Sequence, residues 1–105
     1  ATVAKEPDPL LLGCYFRSQP SEYKHPNSYR YCLVKRNDRY AVYYDWRDGK
    51  TFEEHKGWMP FTISGDHMTS DTEPSTYLIK NGKVWHNYAG REVLHRMVRD
   101  GTSGF

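Results

Sequence analysis

Five histidines, His25, His55, His67, His86 and His95, are the side chains here best suited to proton transfer or metal binding near neutral pH. No two stand at a zinc-like spacing such as i and i+4 on a helix, and no Cys-x-x-Cys accompanies them, so no metal site is expected. There is no P-loop, Gly-x-Ser-x-Gly or dinucleotide fingerprint either, and no cofactor is expected. Glu53, Glu54 and His55 adjoin, and Arg91 with His86 or His95 could complete an acid–base set for phosphodiester or glycoside cleavage. Such work needs two groups within hydrogen-bond reach of one bond, which this spacing does not demand. No catalytic residue is assigned, and each histidine reads as a surface or strand-face residue.

Cys14 and Cys32 carry the other available chemistry. An even, small cysteine count suits one disulfide in an exported protein; two buried free thiols in a cytosolic protein is the alternative. Closing a loop of this size contributes about 3 kcal/mol in the chain-entropy picture. The polar, proline-broken start, residues 1–9, reads as a flexible end. It is not a signal peptide, but fits what remains once one is removed, or an arbitrary edge. Leu11-Leu12-Gly13-Cys14 imitates a lipoprotein cleavage site, yet the basic start and apolar run that such processing needs are missing upstream.

The elements that must position these groups read as strands. In 105 residues, enough for one domain (1–105), hydrophobic residues are only 37 %, while aromatics reach 15 %. Large rings with few aliphatics suit a small all-β shell. Alternation predicts strands over Leu10 to Arg17, Tyr29 to Arg36 and Arg39 to Trp46, then shorter ones at Thr51 to Glu54, Trp58 to Ile63 and His67 to Ser70. Ser18 to Ser28 and Asp71 to Ser75 read as proline-bearing loops, and Asn37-Asp38, Asp48-Gly49 and Ser64-Gly65-Asp66 as turns. Within Tyr77 to His86, the Asn81-Gly82 turn sets Ile79 opposite Val84 and Leu78 opposite Trp85. It also sets Lys80 against Lys83, so that tip must be solvated. Arg91 to Asp100 is either a last strand, favoured because it would cover an edge, or a short C-terminal helix. Gly101 to Phe105 reads as a frayed end. The expected fold is an antiparallel up-and-down barrel or two-sheet sandwich of about eight strands.

Two loop regions hold the residue types that anchor protein interfaces. The predicted partner-binding set is Tyr23, Trp46, Arg47, Asp48, Glu53, Glu54 and His55. Ordinary solvated loops have the same composition. A net charge of +2 without a basic stripe gives no reason to expect nucleic acid, although Tyr29, Tyr31, Tyr40 and Tyr44 beside Arg30, Arg36 and Arg39 form a loose stacking pattern. The longest aliphatic run, Leu10 to Leu12, falls far short of a membrane span. A symmetric homodimer through a sheet edge or tyrosine face is compatible with the pattern.

The stretch from Gly57-Trp58 through Gly65-Asp66 to Tyr77 and Asn81-Gly82-Lys83 resembles small exported bacterial β-barrel proteins, among them periplasmic lysozyme inhibitors and effector-immunity proteins. The inhibitors' Ser-Gly-x-x-Tyr loop motif is not matched: Ser64-Gly65 begins like it, but Met68 takes the tyrosine's place. The resemblance implies a periplasmic or secreted protein whose partner is a cell-wall hydrolase, which it would inhibit as an immunity protein. A lipocalin-like small-ligand carrier is the alternative, and a small hydrolase the third reading.

Overall fold

Chain reversals fall at the turns the sequence predicts, because their residues tolerate positive φ. Asn37 and Asp38 (φ 52° and 61°) and Asn81 and Gly82 (φ 54° and 72°) form two-residue turns whose twist matches the strands they join. A computed structural model describes residues 1–100. The strands are β1 (Thr2–Lys5), β2 (Gly13–Gln19), β3 (Asn27–Arg36), β4 (Arg39–Arg47), β5 (Glu54–Met59), β6 (Phe61–Ser64), β7 (His67–Ser70), β8 (Ser75–Lys80), β9 (Lys83–Tyr88), β10 (His95–Arg96) and β11 (Val98–Arg99). They form two sheets, ordered β1-β6-β7-β8-β9-β10 and β11-β2-β3-β4-β5, packed as a sandwich. Leu78 pairs with Trp85, Ile79 with Val84 and Lys80 with Lys83, and both lysines are exposed.

Inward faces of both sheets meet in an aromatic core. Tyr31, Leu33, Val42 and Tyr44 from one sheet face Phe61, Ile63, Met68, Tyr77 and Val84 from the other, all nearly free of solvent. Cys14 and Cys32 lie directly opposite one another on β2 and β3 and are joined by a disulfide. That bond is compatible with an oxidising, extracellular type of compartment. Among the described residues, no helix is long and apolar enough to cross a membrane.

Several expectations need correction. The sheets do not close into a barrel. The chain instead passes from one sheet to the other at Pro60, which lacks the N–H to continue a ladder, and again at Met97, whose side chain enters the core. Thr2–Lys5, expected to be flexible, pairs parallel with β6, so the architecture is not wholly antiparallel. Leu10 and Leu11 belong to a 3-10 turn, Pro9–Leu11, rather than to the first strand, because Asp8 caps the Leu10 N–H at 2.9 Å and Leu11 turns inward. The strand expected from Thr51 begins only at Glu54, since Asp48 draws the Lys50 and Thr51 N–H groups into a tight turn. The C-terminal segment takes the favoured strand form and not the helical one, but as two short pieces in different sheets: β10 pairs with β9, β11 pairs with β2, and Val93 lies exposed. Gly101 to Phe105 lie outside the described residues.

Candidate functional site

Strand β2 sends Tyr15, Arg17 and Gln19 toward the opposite sheet, and β9 sends Val84, His86 and Tyr88 to meet them. Arg17 is thereby only 5 % exposed and His86 fully buried. Arg17 Nε donates to His86 Nδ1 at 2.9 Å, which makes Nδ1 the acceptor and places the imidazole proton on Nε2, facing Ser75 Oγ at 3.1 Å. Burial, then the charge of Arg17, then His95, hold the His86 pKa down at about 3, so the ring is neutral at ordinary pH. Arg17 Nη1 donates to Gln19 Oε1 at 3.0 Å, and the guanidinium lies 4.1 Å from the centre of the Tyr29 ring. Burial lowers the Arg17 pKa, with the hydroxyls of Tyr29, Tyr77 and Tyr44 opposing. Among the described residues no carboxylate pairs with Arg17, so its charge is held by neutral groups alone.

Above this arginine the two sheets open into a cleft of about 450 Å³ lined by Arg17, Gln19, Asn27, Tyr29, Tyr88, Arg91, Val93 and His95. Tyr29 and Tyr88 stand 6.3 Å apart between ring centres. A turn with positive φ at Ala89 and Gly90 brings Arg91 to the rim, where its carbonyl accepts from Asn87 Nδ2. His95 is lowered from its ordinary pKa by burial and by Arg17. The lining thus offers two guanidinium groups, amides and aromatic faces, and no acid. Nearby, the buried Tyr77 hydroxyl and Trp46 Nε1 have no hydrogen-bond partner among the described residues.

The sequence-predicted partner set gathers at the adjoining end. Asp48 shapes its own turn, and Gly49 N–H donates to Asn27 Oδ1 at 2.7 Å. A Cβ on Gly49 would meet the His25 carbonyl oxygen, so only glycine lets the two loops close on each other. His25 packs on Phe52 at 4.4 Å between ring centres, and the Arg47 guanidinium lies 4.8 Å from the centre of the same Phe52 ring. Tyr23 and Phe52 remain about half exposed. Glu54 is held by Lys56 and Arg47, which lowers its pKa, whereas the Glu53 carboxylate lies 3.8 Å from His55. Trp46 is half-buried against the core and packs at a tilt on His55, 4.7 Å between ring centres. Tyr23, Asp48, Gln19 and Asn27 border one hollow, and Trp46, His55 and Tyr88 another. Both hollows share lining residues with the Arg17 cleft.

Of the conceivable acid–base set, Arg91, His86 and His95 do converge, while Glu53 and Glu54 lie outside the cleft lining. Among the described residues, no group of three or more His, Cys, Asp or Glu could hold a metal ion. Arg17 was missed by reasoning from sequence, although a signal existed. It falls on the inward parity of Tyr15, where a charge must find either a partner or an opening. Compared with known protein families, curated proteins and solved structures, the chain matches none.

Proposed function

We propose that this chain is an exported binding domain that blocks a partner enzyme, as an immunity or inhibitor protein acting on a peptidoglycan-degrading hydrolase in the periplasm. The observation that carries this reading is the interlocked loop pair, residues 20–27 and 48–53, which presents Tyr23 and Phe52 on a backbone already fixed by the Gly49–Asn27 bond. A pre-ordered aromatic surface loses little freedom on docking, so more of its contact energy becomes affinity. The carrier alternative is less well supported, because Tyr31, Tyr77, Phe61, Leu33, Ile63 and Met68 fill the space between the sheets.

The test is lysis of purified cell walls by lysozyme-, transglycosylase- and amidase-type hydrolases with increasing amounts of the protein. Stoichiometric loss of one activity, relieved at least about tenfold by Tyr23→Ala with Glu53→Lys, is expected. If every hydrolase keeps its rate in excess protein, the inhibitor reading is wrong.

A further inference from the structure

We infer that the cleft over Arg17 is a carboxylate-binding site, in which the anion is clamped between the guanidinium groups of Arg17 and Arg91 and walled by Tyr29 and Tyr88. A guanidinium withdrawn from water without a counter-charge is costly, and an apolar side chain at this inward position would avoid the cost. Here the charge is kept, and it is oriented by neutral groups. His86 takes Nε, Gln19 takes one Nη1 hydrogen, and the Tyr29 ring fixes the plane. The Tyr29 hydroxyl adds a polar contact, and the guanidinium so held still lines the open cleft.

Among the described residues no acidic side chain lines the cleft, and Arg91 adds a second cation at the rim. Neutral His86 accepts from Arg17 and so holds the guanidinium without adding a second buried charge. A guanidinium suits a carboxylate, with which it forms charge-assisted hydrogen bonds. A phosphate dianion is well served by backbone N–H groups at a helix N-terminus, and no helix contributes to the lining of this cleft among the described residues. The carboxylate can arrive on an acidic side chain of a protein or as a free small acid. The inference stands apart from the inhibitory role, because its probes need no partner enzyme.

The experiment follows the Arg17 Nε–Hε resonance of the intact, oxidised protein by NMR during titration with acetate, succinate, a capped Gly-Glu-Gly peptide and inorganic phosphate. Saturable shifts with dissociation constants of about 1–10 mM are expected for the carboxylates. Tighter binding of the peptide points to a protein source, and tighter binding of acetate or succinate to a free acid. Arg17→Gln should weaken binding at least about tenfold and Arg91→Ala about threefold; the second site is exposed, so it keeps the test valid if the first variant unfolds. No shift at about 100 mM carboxylate, an Arg91→Ala variant with unchanged affinity, or tighter binding of phosphate than of any carboxylate would each overturn the assignment.

Discussion

Of the arginines that lie over tyrosine rings in this fold, Arg99 and Arg17 end in opposite circumstances. Arg99 lies over Tyr15 at 4.8 Å and Arg17 over Tyr29 at 4.1 Å, on rings two steps apart along the paired β2 and β3 strands. Arg99 is exposed, yet it is tied to the protein by three contacts: the Leu12 carbonyl at 3.1 Å, the Tyr15 hydroxyl at 2.7 Å and the Leu10 carbonyl at 3.5 Å. It locks the Leu10–Leu12 segment over one part of the core, where Tyr15 and Tyr31 also donate to the Leu10 and Leu11 carbonyls. Arg17 is buried, yet it lines an open cleft. What separates the two is their surroundings: Arg99 is tied to the loop carbonyls it spans, and Arg17 stands beneath an opening.

The comparison can be broken in graded ways. Replacing Cys14 and Cys32 by alanine should cost about 3 kcal/mol in urea unfolding, because both regions hang from the β2–β3 pair that the bond closes. Acid should act next. The unfolded chain takes up the His86 proton near 6.5 and the folded chain only near 3, so this contribution is whole above pH 6.5 and is lost as pH falls toward 3. The loss is at most about 1.4 kcal/mol per unit. A flat profile of unfolding midpoint across that window would mean the ring is not buried neutral. Arg99→Ala should cost about 1.5 kcal/mol by stranding its acceptors, without touching carboxylate binding. Arg17→Met with His86→Leu removes the buried pair together and leaves Ser75 and Gln19 each one contact short, so stability should fall by about 1 kcal/mol while binding disappears and the acid sensitivity fades. Glu54→Gln should shift the thermal midpoint least, since its ion pairs with Arg47 and Lys56 are solvent-screened.

How much of this was legible depended on the range of the interaction. The β8–β9 hairpin followed from Asn81-Gly82, and the disulfide from a lone cysteine pair, because local turn geometry and covalent chemistry need no knowledge of the rest of the fold. The gathering of Tyr23, Trp46, Asp48 and His55 at one end was in reach as well, since β3 and β4 return both loops to the same side. The sheet changes at Pro60 and Met97 were not. Alternation describes a strand's two faces and says nothing about which sheet it joins. Nor could spacing place Arg17 against His86, 69 positions away, because that contact exists only once two sheets stack. The parallel docking of Thr2–Lys5 escaped notice for the same reason: an exposed, polar segment carries no period when its pairing is mainly through the backbone.

The placement of the Cys14–Cys32 bond has one more effect. A strand can slide along its neighbour by two residues and still keep its inward groups inward, so hydrophobic patterning alone permits that error. Here such a slide would carry Arg17 about 7 Å along β3, away from Tyr29. The sulfurs sit three residues from Arg17 on the same strand and forbid it, so the covalent link works as a vernier stop that sets where the guanidinium comes to rest.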